Sequence, residues 1–473
     1  MQISKREFLK RLGLAGVALA AGENFGEEVS KGVKRGALPE GAIGDPLQPW
    51  FGKHVFPLPH TLEDGPSCML KDGKVVRPAA EIPVFHQTDV VVVGGGPAGF
   101  SAALSAARTG ASVALVERYG SLGGLFTNGM VLKIMCTSAK GPDGKFRFVT
   151  RGVCEEFIRR AQQLDALVPA ITKRRGENDY WEPDIDPEAA KYLMDRMCEE
   201  AKVETFFHSW GVDVIQDGAN VLGVVFESKQ GTQAILAKQV VDCTGDGDMF
   251  FRAGAEYRQV THAIGSVAQI GNVDRIPAGA KYPQGAAGWP LKSNGPSPSV
   301  NWGIGPGHAQ DGLKVRDLSS AEVSARKYWI EKLAAMRKED SWRETYLVNV
   351  CSQIGVRATR LLESELVLDQ PTICRTNRFD DAIGLVGCRA MYPDFQVPYR
   401  ALLPKKVENL LAAGRCLGAP DSLETFRLIA PCFVTGQAAG TAAALAAKAG
   451  CTPRALDVKL LQKTLAEQGA CLA

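Results

Sequence analysis

The chain reads as an α/β protein: a parallel sheet with helices on its faces, assembled from discontinuous segments, with an α+β domain inserted between them. Three observations predict this. A strand–turn–helix–strand unit occupies residues 88 to about 130, a second strand-like run at 233–243 is followed by a glycine-containing loop, and the short apolar run Leu410-Leu-Ala-Ala413 precedes an alanine-rich helix expected over 434–449. Between the last two the texture changes. Gly, Pro, Trp and Asn cluster at 277–311 and a charged helix follows from 319 to about 338, so 256–395 reads as the inserted domain. The main domain is then 88–255, with a helical excursion near 135–185, completed by 396–473 with a C-terminal helix.

The first unit is the most informative. Asp89-Val-Val-Val-Val-Gly94-Gly-Gly96-Pro97-Ala98-Gly99 runs β-branched residues into a glycine-rich turn, and Ser101-Ala-Ala-Leu-Ser-Ala-Ala-Arg108 is small and helix-compatible. A second apolar run closes on Glu117-Arg118, twenty-three residues after Gly94. That order is what a dinucleotide-binding βαβ unit requires. Gly94 permits the tight turn, Gly96 lets the backbone approach a pyrophosphate, and Gly99 lets the helix pack on the strand. The helix N-terminus presents free N–H groups and a positive dipole end to phosphates, and Glu117 can accept from a ribose diol. These residues leave NAD and FAD both open.

Other elements follow in order. The N-terminal residues Ser4-Lys5-Arg6-Glu7-Phe8-Leu9-Lys10 precede Leu12 to Gly22, which carries no charge, and Ala18-Leu-Ala20 offers a small-residue cleavage pattern. Eleven apolar residues are too few to span a hydrocarbon core of roughly 30 Å, so no stable membrane anchor is expected. Residues 1–22 read as a signal peptide resembling a twin-arginine export signal, with Lys5 in place of the first arginine, which implies a periplasmic or otherwise exported protein; a short amphipathic helix is the plainer reading, and leaves it cytoplasmic. Residues 23–87, with Pro46-Leu-Gln-Pro49 and Pro57-Leu-Pro59, read as an extended arm containing a hairpin at Lys71-Asp72-Gly73-Lys74. Asp186 caps an amphipathic helix over 186–203, and strand-like runs at 204–216 and 221–228 flank a turn at Asp217-Gly218.

Composition excludes several classes. A net charge of +3 over 473 residues is too small to imply nucleic acid or membrane-surface binding, and Lys173-Arg174-Arg175 reads as a solvated loop. The twelve cysteines never come closer than fourteen residues apart, so no Cys-x-x-Cys redox pair, clustered iron–sulfur module or metal site is expected.

Three segments share one purpose: Gly94–Glu117; Val240-Val-Asp242-Cys-Thr244-Gly245-Asp246-Gly247-Asp248; and Asn409-Leu-Leu-Ala-Ala-Gly414-Arg415 with Gly436-Gln437-Ala438-Ala439-Gly440. The set resembles the glutathione-reductase-type FAD fold, a Rossmann-type domain, and more closely the bacterial FAD-dependent oxidoreductases that read D-A-T-G-D-G-D and N-L-L-V-A-G-R at these places. Gly355-Val-Arg357-Ala-Thr-Arg360 and Arg427-Leu-Ile-Ala-Pro431 belong to the same resemblance. It implies FAD as cofactor. Gly94, Gly96, Ala98 and Gly99 would hold the pyrophosphate and Glu117 the adenosine ribose, with Pro97 and Arg118 also among the cofactor-binding residues, and Gly123 and Gly124 would line the phosphate side. Val212 would meet the adenine through its backbone, and Thr244 and Gly245 would pack near the nucleotide half. Gly414, Gln437 and Ala438 would approach the ribityl chain and the flavin O2 edge, where a helix beginning near Gly436 would stabilise negative charge.

No second glycine fingerprint is evident. Gly303-Ile-Gly305-Pro-Gly307 lacks a β-branched strand before it and reads as a surface loop. The flavin would therefore exchange electrons with a small-molecule substrate or an external electron carrier. Arg357, Arg360 and Arg427 are the catalytic candidates, because a guanidinium fork suits carboxylate or carbonyl oxygens; each could equally tie loops to carboxylates such as Glu363 or Glu424. His86, His262, Cys136 and Cys432 are weaker candidates. The expected function is hydride or two-electron transfer between FAD and a small organic substrate, with a flavin monooxygenase or a non-catalytic scaffold as alternatives.

Overall fold

The structure, a computed structural model, describes residues 68–141, 143–171, 182–277, 280, 300–301, 308–374, 377–388 and 392–472. The expected signal segment, most of the arm, the 173–175 basic cluster and the Gly303–Gly307 loop lie outside them. The described residues belong to one compact unit, Gly65–Ala473.

The parallel sheet forms where the valine runs lie. Strand β1 (Val84–Val93) lies beside β2 (Val113–Val116), with β3 (Glu204–Phe206) beyond it. On its other side β1 pairs in parallel with β6 (Gly231–Asp242), whose C-terminal residues Val240–Asp242 pair in parallel with β7 (Leu410–Ala412). The N-terminal part of β6 instead pairs antiparallel with β5 (Asn220–Ser228), which continues to β4 (Trp210–Asp217). Val90 to Val93 are at most 3% exposed, and each contributes roughly 1.5–3 kcal/mol of apolar burial.

Helix α1 (Pro97–Arg108) follows the glycine turn, with Pro97 at its first position where no N–H is needed. Asp186 caps α3 (Pro187–Glu200), accepting from the N–H groups of Glu188 and Ala189. The alanine-rich helix α5 (Ile429–Ala449) lies against α1, β1 and β6. Its length and composition would suit a membrane span, yet it is buried at the centre of this fold. Phe100 of α1, Phe157 of α2 (Val153–Leu164) and Phe433 of α5 pack together with centroids 5.6–6.0 Å apart. Their contact fixes the helical layer under the sheet.

Several boundaries differ from the sequence expectation. The arm ends earlier than residue 87, because Val84 to Gln87 already pair with Ala234 to Leu236 on the long strand β6. The 204–216 run is broken at His208, whose φ of 54° ends β3 and redirects the chain into β4. The inserted region holds small cores of its own, one of Ile264, Ala321, Ala325, Ile354 and Val356, another of Ile270, Leu333, Met336 and Trp342. From Leu362 onward, however, the chain is back in the main core, where Ile383, Val386, Phe395 and Val397 sit in the hairpin Ala382–Cys388/Tyr392–Pro398. That hairpin packs on α5, so its apolar residues serve the main domain. The 319–338 helix forms as α4 (Val315–Met336), and Val458–Glu467 is the C-terminal helix α6.

Candidate functional site

The C-terminal ends of β1, β2 and β6 open into a cavity of about 630 Å³. Sites that enclose cofactor-sized ligands run from roughly 300 to 1,000 Å³, so the volume is adequate. Gly94, Gly96, Pro97, Ala98, Glu117, Arg118, Gly124, Thr244, Gly245 and Gly414 all lie on its wall.

The glycine turn is built by two packing demands and one open face. Gly94 has φ +96°, and a Cβ there would lie 2.5 Å from the carbonyl oxygen of Cys243. A Cβ on Gly99 would lie 1.7 Å from the oxygen of Gly94, so Gly99 seats the helix on the turn and is not on the cavity wall. Gly96 differs: its backbone is extended and a Cβ would meet nothing within 4 Å. Protein packing therefore does not require glycine at 96; only a ligand on the cavity side would. Glu117 is 4% exposed, and its carboxylate accepts from the N–H groups of Gly95 (2.6 Å) and Tyr119 (2.8 Å), while burial raises its pKa.

Beside β6, Asp242 accepts four hydrogen bonds, from the Thr244 N–H and hydroxyl and from the N–H groups of Met249 and Phe250. This fixes the Thr244–Gly245 loop on the wall. Burial is strong enough to push the Asp242 carboxyl up to about 6. Arg415 donates to Asp246 at 2.8 Å, and its buried Nη1 has no partner among the described residues. An orphaned buried guanidinium N–H on a cavity wall suits an anionic group.

Further along the wall is Gly414 (φ +94°), where an added Cβ would lie 3.0 Å from the Ala98 Cβ and 3.9 Å from the Cys432 Sγ; beyond it comes a polar corner. His262 Nε2 is 2.6 Å from Glu424 Oε1, and Arg427 donates to Glu424 Oε2 at 2.6 Å. Arg357 donates to the Ala263 carbonyl, and burial, followed by the charge of Arg427, lowers its pKa. All four residues line the cavity.

Besides Gly99, five expected positions lie off the wall. Arg360 is bound to Asp248 (2.9 Å) and the Asp246 carbonyl (3.0 Å) over the Phe251 ring, a structural tie off the wall. Val212 falls where the β4–β5 register slips between Gly211 and Asp213, and Trp210 and Gly211 take its place on the wall. Gly123 has φ +104° and packs on Thr127, leaving Gly124 to face the cavity. Gln437 accepts from the Val153 N–H, and Ala438 is buried in the helix layer. The reason is that α5 begins at Ile429, not near Gly436, because Pro431 fits a first turn. The helix start is thus Leu428–Ile429, both on the wall and without a side-chain cap; the Leu428 N–H donates to the Thr425 carbonyl (3.3 Å) and Pro431 carries none, so the first-turn N–H groups left to a ligand are those of Ile429 and Ala430.

Of the weaker candidates, His86 pairs with Glu204 on the sheet and Cys136 is buried off the wall. Cys432 is on the wall, but burial pushes its thiol up to about 12. Sequence reasoning missed Arg415, Glu424 as a wall residue, Lys133 and Gln353. Arg415 was within reach, since it directly follows the Gly414 turn.

A glycine turn with one open face, a buried carboxylate at the end of β2 and an orphaned guanidinium thus line one cavity, a lining that fits a nucleotide cofactor. The chain belongs to the FAD dependent oxidoreductase family, whose model matches residues 89–465, and FAD is its cofactor. A dihydrolipoyl dehydrogenase from Trypanosoma brucei brucei is 54% identical over 46 residues, a stretch spanning 10% of each chain. Among solved structures, a geranylgeranyl bacteriochlorophyll reductase-like protein from Thermoplasma acidophilum is 15% identical at a TM-score of 0.43, covering 81% of this chain and 84% of its own. The p-nitrophenol 4-monooxygenase PnpA from Pseudomonas putida is 14% identical at a TM-score of 0.42, covering 81% and 85%.

Proposed function

We propose that this oxidoreductase works as a dehydrogenase or reductase on a small organic substrate held at the His262–Glu424–Arg427–Arg357 corner. The observation that carries this reading is that the corner shares one cavity with the Gly94–Gly99 turn. Bound FAD supplies the hydride or two-electron chemistry. Gly94, Gly96, Pro97, Ala98 and Gly124 would hold the pyrophosphate at the start of α1, and Arg415, on the same wall, keeps a buried N–H without a partner among the described residues. Glu117 accepts from the ribose. The uncapped first turn of α5 would stabilise negative charge on the bound cofactor through its N–H groups and positive dipole end. The parallel order β3-β2-β1-β6-β7, with the β4–β5 hairpin on the N-terminal part of β6, supports a glutathione-reductase-type arrangement.

An external carrier would close the electron cycle, since the sequence has no second glycine fingerprint. Residues 1–22 would direct export. The test is anaerobic: purified protein is mixed with candidate substrates and flavin absorbance is followed. Bleaching without oxygen supports the reading. Oxygen uptake driven by NADPH, with no anaerobic bleaching by any substrate, would favour a monooxygenase instead.

A further inference from the structure

The polar corner sets two guanidinium groups against one carboxylate. Glu424 is divided between two partners: His262 Nε2 lies 2.6 Å from Oε1, and Arg427 donates to Oε2 at 2.6 Å. The other ring nitrogen of His262, Nδ1, faces the Ala263 carbonyl at 3.4 Å, so both sides of the ring are engaged within the corner. Arg357 donates to that same carbonyl and has no ion-pair partner among the described residues. The buried Nε–H of Arg427 has no acceptor there either.

These groups come from two parts of the chain. His262, Ala263 and Arg357 belong to the inserted region, where Gly265 and Gly355 exchange backbone hydrogen bonds of 3.2 and 2.7 Å and fix the two segments side by side. Glu424 and Arg427 stand on the short turn that leads into α5. The His262–Glu424 contact joins the two parts and brings both guanidinium groups to one cavity wall. Burial, and then the charge of Arg427, lower the Arg357 pKa, so the two cations feel each other. An anion between them would relieve both. Val131, Met135, Val267 and Leu428 give the same cavity an apolar lining.

Building on the reading of this corner as the substrate site, we propose that it is a carboxylate-binding subsite, with Arg357 and the free Nε–H of Arg427 on the carboxylate of an organic-acid substrate. Planar guanidinium groups match the two oxygens of a carboxylate. Two guanidinium groups against Glu424 leave one positive charge unanswered, and a carboxylate brings one negative charge. A phosphate monoester would bring about two at neutral pH. The apolar lining receives the rest of the molecule.

The probes for the FAD-loaded protein are acetate and benzoate, each set against its neutral amide, with inorganic phosphate as a third anion. Binding is read from the flavin difference spectrum and from the melting temperature. A carboxylate should give a saturable signal, the amides none at the same concentration, and phosphate a weaker one. Arg357→Met and Arg427→Met should each weaken the carboxylate by about tenfold or more, with Arg357→Lys and Arg427→Lys losing less. Arg360→Met, tied to Asp248 off the wall, should bind it as wild type does. Melting temperatures identify any Met variant that fails to fold, and the lysine variants then carry the test. FAD-loaded protein that ignores both carboxylates, or binds the amides as tightly, overturns the subsite while the FAD reading stands. Folded Met or Lys variants that bind carboxylate as tightly as wild type overturn it too. Tighter binding of phosphate would replace the organic acid with a phosphorylated substrate. Folded variants that lose FAD itself would assign the arginine pair to the cofactor. Protein that takes up no FAD overturns both readings.

Discussion

Gly436 rests against the backbone oxygen of Ala98: a Cβ added at Gly436 would lie 2.1 Å from it. One turn on, a Cβ at Gly440 would lie 1.9 Å from the oxygen of Ala102. Helix α5 thus seats its backbone on α1, directly behind the glycine turn that faces the cavity. Gly440→Ala should destabilise the protein by about 1–3 kcal/mol through overpacking, read as a lower urea midpoint with unchanged slope. An unchanged midpoint would sink the close-packing account.

The same contact explains what the sequence could and could not disclose. The order of β1, α1 and β2 was legible because the valine run, the glycines and Glu117 are contiguous and each obeys a local rule. Strand pairing across β6 was legible only as a run of apolar residues, since its partners β1 and β7 lie far away in sequence. Gly436-Gln-Ala-Ala-Gly440 has the composition of a cofactor-facing turn, but glycine also serves close helix packing, and composition alone does not separate the two. The start of α5 was hidden by Pro431, which can stop a helix or open one. Arg360 and Arg427 read identically in sequence; only the fold puts Asp248 beside one and the cavity beside the other.

Arg360 is therefore a stability residue. Its guanidinium lies 4.2 Å from the Phe251 ring centroid and donates to Asp248. Arg360→Met should cost about 1–3 kcal/mol in chemical unfolding while the folded fraction keeps its turnover rate. A full loss of turnover in well-folded, flavin-loaded variant would return Arg360 to the active site.

Asp242 predicts a pH signature. Its folded carboxyl is pushed up to about 6, well above the usual carboxylate range, because burial outweighs its hydrogen bonds. The folded state then binds the proton more tightly than the unfolded chain. That contribution is fully present below about 4 and is lost as pH rises through about 6. The difference in unfolding free energy between wild type and Asp242→Asn should favour wild type by about 1 kcal/mol more at pH 5 than at pH 7.5. A pH-independent difference would show that Asp242 is ionised throughout.

The N-terminal segment is tested by itself. Residues 1–30 fused to a folded reporter should carry it out of the cytoplasm, and substituting Arg6 should stop this. A reporter retained inside with the native segment removes the export proposal.

Gly96 tests the central claim that the cavity beside the glycine turn is the FAD site. Beyond its own chain neighbours, no described protein atom lies within 4 Å of a Cβ at Gly96, so the flavin-free fold should tolerate Gly96→Val. The measurement is bound FAD per chain, by absorbance after denaturation, alongside the melting temperature of the flavin-free protein. The account predicts one FAD per wild-type chain, little or none in Gly96→Val, and closely similar flavin-free melting. A folded Gly96→Val protein with normal FAD content would contradict it.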